Sequence, residues 1–380
     1  MLALFALVNL LIIIGITVYL IQGVVSVRLL ADQPLEDLEQ WPLVSVIVPA
    51  CNEETGIEEA LVSLFSQDYP RLEFILINDR STDSTGEIIR RVAADRSATV
   101  VEISELPDGW LGKNHALHVG ADAAKGDYLL FMDADVVMDR SMIRRAVCVA
   151  ERDSLDHFTC GFEARMPSLL LQSTVTLFTI CFAIFFRPWK AKDPKSNAYI
   201  GIGGFNLVRA GVYKAIGGHT SIQLRPDDDV KLGKVIKQAG YRQEFFNATE
   251  FVFVPWYSTF WQMTVGLEKN SFAVFQYRLT LLLACSLMLL FVPGWPFIAV
   301  WLTQGTARWI HLASAITMLL LMLLVSRGLK FSPACVLLFP LVLPLFCWIA
   351  WRAAFLCLWR GGIQWRGTLY PLGDLRRNTV

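Results

Sequence analysis

Long stretches without a single Lys, Arg, Asp or Glu constrain this chain more than any other feature of it. Residues 1–27 carry no such charge, and neither do the intervals between Arg278 and Arg308, Arg308 and Arg327, and Lys330 and Arg352. About 20 apolar residues cross a hydrocarbon core roughly 30 Å thick, so these are membrane lengths. Across the 380 residues only 18% are charged and 54% are hydrophobic, against about 25% charged in ordinary soluble domains.

Residues 2–25 (LALFALVNLLIIIGITVYLIQGVV) have no basic segment before them and no Ala-x-Ala site after them. They read as an uncleaved N-terminal transmembrane anchor within 1–27 rather than a signal peptide. A polar, acidic linker (28–43) leads to a domain at 44–260, then an interfacial segment (261–280), C-terminal transmembrane helices (281–358) and a tail (359–380). The candidate C-terminal spans are about 281–302, 309–326 and 333–358. Residues 166–186 are also uncharged, but Gln172, Ser173, Thr174, Thr176 and Thr179 dilute the run. They read as an amphipathic helix lying on the bilayer or buried in the domain.

Lys and Arg mark the cytoplasmic side of a membrane. That places the 44–260 domain, the Arg327/Lys330 loop and the Arg-rich tail inside, in a multi-pass protein of the plasma membrane. A fourth full span would put the tail outside, unless Pro340 and Pro344 break 333–358 into a re-entrant hairpin. The balance of 34 Lys+Arg against 34 Asp+Glu argues against nucleic acid as a partner. Eight cysteines without CxxC or CxxH spacing read as buried free thiols.

Within 44–132, short β-branched runs alternate with helical patterns: strands at 44–49, 73–78, 99–103 and 127–132, helices near 56–66, 83–95 and 113–124. That order predicts an α/β fold with a mostly parallel, Rossmann-like sheet covered by helices. Ligands of such sheets bind at the carboxyl ends of the strands. Cys51, Asn52, Asp79, Asp133 and Asp135 all fall there.

FMDADV (131–136) puts two carboxylates at the end of an apolar strand, which suits Mg²⁺ or Mn²⁺, although a turn or helix cap is the plainer use of Asp-x-Asp. In LINDRSTDST (76–85), Ser81, Thr82 and Asp83 suit a helix N-cap, while Asp79 is free to accept the imide N–H of a pyrimidine. In RPDDDVKLGKVIKQAGYR (225–242), three aspartates crowd the first turn of an amphipathic helix. Mutual repulsion raises the proton affinity of one of them, as a general base requires.

A VPxxNE strand, an NDRSTD turn, a GxxGKxxAL segment (Gly109 to Leu117), the Asp-x-Asp, GIGGFN (201–206) with IGGH (216–219), and the DD-x-x-L…G-Y helix occur in this order. As a set they resemble the family 2 inverting glycosyltransferases with the GT-A fold, over about residues 44–260. The resemblance implies that Pro49, Cys51, Glu53 and Asp79 flank the nucleoside of a nucleotide sugar, UDP-linked by expectation. It implies that Lys113 faces the donor phosphates, that Asp135 binds Mg²⁺ or Mn²⁺, and that Asp133 supports the ribose or the metal shell. Asp229 takes the place of the catalytic base, with Asp228 in the acidic position before it. Gly203 and Gly204 allow close approach of sugar or acceptor, or make a tight turn. His219 touches phosphate or acceptor, or is structural.

The Q/R-x-x-R-W sequence of processive synthases is missing from WQMTVGLEKNSFAVFQYR (261–278), where Lys269 or Arg278 stands in its place. The layout is more similar to the lipid-modifying branch, which includes carotenoid- and hopanoid-associated enzymes and ceramide glucosyltransferases. The expected activity is therefore metal-assisted, inverting hexosyl transfer to a lipid hydroxyl, with Lys269 on the acceptor side. The alternatives are a polysaccharide or oligosaccharide synthase, and a non-catalytic membrane scaffold that binds nucleotide sugar.

Overall fold

The computed structural model describes residues 1–378. By contacts the chain divides into two compact units, one of residues 27–165, 186–256 and the extreme C-terminus, the other of residues 1–26, 166–185 and 257–376.

The first unit is built on an eight-stranded sheet. Numbered along the chain, its strands are β1 (Arg28–Leu29), β2 (Val44–Ala50), β3 (Leu72–Asp79), β4 (Ala98–Ile103), β5 (Tyr128–Phe131), β6 (His157–Gly161), β7 (Asn206–Arg209) and β8 (Gln243–Asn247). Their order is β1-β8-β6-β7-β5-β2-β3-β4. All neighbours are parallel except β7, which runs antiparallel to both β5 and β6. The expected α/β architecture is therefore present, with strands 44–50, 72–79, 98–103 and 128–131 within two residues of the sequence reading. The central strands are apolar on both faces because helices cover both, and Val44, Val46, Ile47, Ile75 and Leu130 are fully buried. Each such side chain contributes about 1.5–3 kcal/mol through burial.

Two features were not expected. Arg28–Leu29, in the stretch read as linker, pairs with β8. The short β7 enters the sheet because Asn206 Oδ1 meets the buried His157 ring nitrogen Nε2 at 3.0 Å and accepts the Ile202 N–H at 3.2 Å.

Order reverses at β2, which lies between β3 and β5. The carboxyl ends of β2, β3 and β5 therefore converge on one crevice, where a doubly wound sheet places its ligand.

The second unit is helical. Among the described residues, five helices are long and apolar enough to cross a membrane: Leu2–Val25, Leu169–Lys190, Leu279–Leu302, Gly305–Gly328 and Pro333–Arg360. The second of these cannot carry the chain across, because β6 before it and β7 after it are neighbours in one sheet. It does not bear the solvent-facing polar stripe expected of an amphipathic surface helix either. Its Ser173, Thr174 and Thr176 are buried while Leu169, Ile184 and Phe185 are exposed. The hydroxyls of Thr174 and Thr176 bond to carbonyls one turn back, and Gln172 Oε1 accepts the Ser332 N–H at 3.0 Å.

The hairpin considered for 333–358 does not form. A 3₁₀ turn (Pro333–Leu338) leads into one helix, Phe339–Arg360. Pro340 sits in the first turn, where its missing N–H costs nothing, and Pro344 is carried inside the helix. The interruption lies instead at Leu290–Gly294, a π-helical turn containing Pro293. In the interfacial segment, Glu268 pairs with Arg352 and, at 3.6 Å, with Arg360, and the Arg352 guanidinium lies 4.9 Å from the Trp261 ring centroid. An arginine and a tryptophan thus meet here from distant parts of the chain, not in one local motif.

Candidate active site

The VPACNE turn after β2 and the NDRSTDST turn after β3 are latched together. Ser81 Oγ accepts the Asn52 N–H at 3.2 Å, Thr85 Oγ1 accepts the Glu53 N–H at 2.8 Å, and Asn52 Oδ1 accepts the Thr82 N–H at 2.8 Å. Ser81 thus holds the neighbouring turn instead of capping the helix Thr85–Ala93, whose N-cap Ser84 makes no side-chain cap bond. Pro49 is buried in β2, and Cys51 and Glu53 are half-buried just beyond it. Asp79 is 3% exposed, and both its oxygens are bonded by Arg80, Nε to Oδ1 at 2.7 Å and Nη2 to Oδ2 at 2.9 Å. Arg80 escaped the sequence reading, although it stands inside the NDRSTD motif.

The three consecutive aspartates have three different fates. Asp227 is held by Arg225 at 2.8 Å. Asp228, the first residue of the helix Asp228–Gln238, is 3.3 Å from Lys113 Nζ. Asp229 accepts the Gly203 N–H on Oδ2 at 2.7 Å and the Val230 N–H on Oδ1 at 2.8 Å. Lys113 reaches Asp133 Oδ1 as well, at 2.8 Å, and so bridges the end of β5 to the start of that helix.

The loop 200–204 lies directly on this helix, which explains its glycines. A Cβ on Gly201 would fall 1.9 Å from the Asp229 carbonyl oxygen, and one on Gly203 would fall 2.6 Å from Asp133 Oδ2. Gly204 is less constrained, with Phe162 3.4 Å from such an atom. Gly203 also accepts the Asp133 N–H at 3.0 Å. The GIGGFN segment therefore fits the backbone against the aspartates themselves.

Electrostatics follow from this crowding. Burial first, then the neighbouring charge of Asp228, raises the Asp229 carboxyl to about 7, with Lys113 opposing. Burial, Asp133 and Glu53 likewise raise Asp135 to about 7. Burial works against the Lys113 ammonium, yet Asp133, Asp228 and Asp229 together hold its proton more firmly than usual.

Carboxylates that repel one another at the end of a buried strand are a donor set suited to a hard divalent cation. Among the described residues no group of three or more His, Cys, Asp or Glu is placed to hold such an ion unaided. Asp133 and Asp135 fit one whose remaining ligands are water and substrate oxygens, the usual situation of Mg²⁺.

His219 is buried and lines the same pocket as Lys113, Asp133, Gly203, Asp228 and Asp229. Lys269 belongs to the helical unit, where its Nζ lies 4.0 Å from the Trp365 ring centroid. None of the eight cysteines is in a disulfide, and Cys148, Cys160, Cys335, Cys347 and Cys357 are buried.

Residues 45–217 match the domain described as Glycosyl transferase family 2. The chain is 28% identical over 220 residues to the probable glycosyltransferase YdaM of Bacillus subtilis, covering 56% of this chain and 51% of that protein. It is also 28% identical over 237 residues to the 4,4'-diaponeurosporenoate glycosyltransferase of Staphylococcus aureus, covering 60% of each. The matches thus span little more than half the length of these relatives. Among solved structures it is similar to the mannosyltransferase PcManGT from Pyrobaculum calidifontis in complex with GDP-Man and Mn²⁺. That likeness has a TM-score of 0.53 at 19% identity and covers 94% of this chain and 99% of that one. It shows a shared fold.

Proposed function

We propose that the chain is a glycosyltransferase of family 2, whose domain description matches residues 45–217, and that it moves a hexose from a nucleotide sugar to a lipid hydroxyl with inversion. The observation that carries this reading is the Asp229 carboxylate. It is fixed by two backbone N–H groups, has its proton affinity raised to about 7, and stands beside a lysine that bridges two further aspartates.

In the reaction the acceptor O–H proton passes to Asp229 as the hydroxyl oxygen bonds to the anomeric carbon. The bond from that carbon to the diphosphate oxygen breaks, and the nucleoside diphosphate departs with the electron pair. One base is sufficient for this displacement. Lys113 neutralises the diphosphate, a task suited to a compact ammonium. Asp133 and Asp135 would hold Mg²⁺ or Mn²⁺, which when bound supplies further positive charge to the leaving group. Asp228 orients Lys113. Asp79, with Pro49, Cys51 and Glu53, flanks the nucleoside. The Asp79–Arg80 pair presents an acceptor beside a donor and so suits the N–H and C=O of a uracil edge. Gly203 and His219, which line the pocket of Lys113 and the aspartates, form the acceptor side.

The apolar helices and the relative named 4,4'-diaponeurosporenoate glycosyltransferase support a membrane-bound enzyme with a lipid acceptor. The carbonyl of Asn378 accepts a bond from Arg225, so the chain returns to the α/β unit after its last apolar helix. That return agrees with an even number of crossings between residues 257 and 377, and on this reading two of the three C-terminal apolar helices span. The positive-inside rule then puts the catalytic unit and the tail together in the cytoplasm, in a protein of the plasma membrane.

The test is incorporation of labelled sugar from a panel of UDP- and GDP-sugars into the organic phase of membranes containing the full chain, with and without chelator. Chelator-sensitive label in organic solvent is the expected result. Label confined to water-soluble polymer would identify a synthase, and absence of transfer from every donor would leave a scaffold.

A further inference from the structure

The IGGH turn and the helix before it (Ala210–Ala215) hold a contact that the transfer reaction does not by itself require. The phenolic oxygen of Tyr213 lies 2.6 Å from Nδ1 of His219 and accepts the backbone N–H of the same histidine at 3.1 Å. Tyr213 is 7% exposed and His219 is 1% exposed. The hydroxyl has one proton to give. If Nδ1 carried the ring proton, that hydroxyl proton would be buried with no acceptor among the described residues, an expensive arrangement. With the hydroxyl donating to Nδ1 both of these atoms are matched, and the ring proton sits on Nε2, which alone is left for a ligand in the pocket that the ring lines.

The turn is shaped for this contact. Gly217 and Gly218 have φ of 77° and 51°, and a Cβ on Gly218 would fall 2.5 Å from Cζ of Tyr213. The glycines are what let the tyrosine ring pass beneath the backbone and reach the histidine. Phe131, at the end of β5, packs on both rings, with centroids 5.1 Å from Tyr213 and 5.0 Å from His219. Nε2 has no protein partner among the described residues, and the ring lines the pocket of Lys113, Asp133, Asp228 and Asp229.

We propose that Tyr213 is a positioning residue that holds His219 as its neutral Nε2–H tautomer, a fixed hydrogen-bond donor to an oxygen of the bound acceptor. A histidine beside an attacking hydroxyl is ordinarily the readiest general base. Here one ring nitrogen is capped and the other already carries its proton, so His219 does not compete with Asp229 for the acceptor proton. The identity of the ligand rests on the glycosyl-transfer reading, whereas the tautomer does not.

The charged and titratable groups facing this pair are Lys113 and His118 on the helix Gly112–Ala123, Asp122 towards Tyr213, and Asp133, Asp228 and Asp229 around the pocket. Burial first, then Lys113 and His118, push His219 down to about 3 and so reinforce its neutral state.

The experiment is ¹⁵N spectroscopy of the full chain in lipid nanodiscs with ring-labelled histidine and no donor, the His219 signal being assigned by its loss in His219→Gln. The expected signal is a neutral Nε2–H ring that does not titrate through the neutral range. In Tyr213→Phe, which keeps the ring and removes the hydroxyl, a mixture of tautomers is expected. The rate of transfer should fall about tenfold, with a new ionisation in its pH profile. An Nδ1–H ring or an imidazolium in the parent overturns the proposal, as does an unchanged His219 signal in Tyr213→Phe. If that variant does not fold, the parent spectrum decides alone. A correct tautomer in a protein that transfers no sugar would sink the reaction and leave the Tyr213 assignment standing.

Discussion

The backbone N–H of Gly203 donates to Oδ2 of Asp229 at 2.7 Å, and a Cβ on Gly203 would stand 3.3 Å from that same oxygen. A loop far from Asp229 in sequence therefore fixes the carboxylate by direct contact of its main chain. Only a glycine leaves room there, because Asp133 Oδ2 closes the other side. The position of the proposed base depends on a residue that takes no part in proton transfer.

Gly203→Ala should consequently lower the rate of transfer by about 10²-fold, the usual cost of a misplacement near 1 Å. Gly204→Ala should leave the rate within a few-fold of the parent, since its methyl would only touch Phe162 at ordinary distance. Steady-state kinetics on the two variants side by side check this. Equal losses in both would mean that the loop acts through its general flexibility.

A base must be ionised to accept a proton. Because burial and Asp228 raise Asp229 to about 7, the rate should fall as pH drops through that value and level off above it. Lys113 acts in the opposite direction on Asp229, so Lys113→Met should move the acidic limb to higher pH while weakening donor binding. A profile that shifts to lower pH, or does not shift, would contradict the arrangement.

Asp135 makes a prediction about stability. Its folded carboxyl is raised to about 7, above the ordinary value of about 3.9. The native state therefore holds this proton more tightly than the unfolded chain, and stability contributed by the group declines as pH rises between those values. At pH 8 in chelator, Asp135→Asn should melt at or above the temperature of the parent. With Mn²⁺ added, the parent should gain stability and the variant should gain little. Thermal unfolding followed by intrinsic fluorescence reads both effects. A less stable variant in chelator would mean that Asp135 has a structural partner.

Much of this was legible in the sequence for identifiable reasons. Asp133 and Asp135 stand out because an apolar strand ending at Phe131 has no packing use for two carboxylates. Asp229 stands out through the family resemblance, by its place three residues before Leu232 and eleven before Gly240 in the DD-x-x-L…G-Y pattern. Strands β2 to β5 follow from runs of Val, Ile and Leu that only a sheet covered on both faces explains. What stayed hidden depends on meetings across the fold. NLVR is too short to announce an antiparallel strand, and its place is set by the buried His157–Asn206 bond. Tyr213 looks like any apolar residue of a short helix until the turn brings His219 onto its hydroxyl. The polar residues of 169–186 suggest a wet face, yet Ser173, Thr174 and Thr176 are the buried ones, and the hydroxyls of Thr174 and Thr176 are satisfied by carbonyls of their own helix.

The central claim is that Asp229 takes the acceptor proton, and the most direct test compares the parent with Asp229→Asn in reconstituted membranes, following sugar transfer and donor binding in the same preparation. Asparagine keeps the shape and loses the base. Transfer should fall by about 10²–10⁴-fold, the contribution of a positioned general base, while donor affinity stays within a few-fold of the parent. Turnover retained by Asp229→Asn would remove Asp229 from that role and contradict the account.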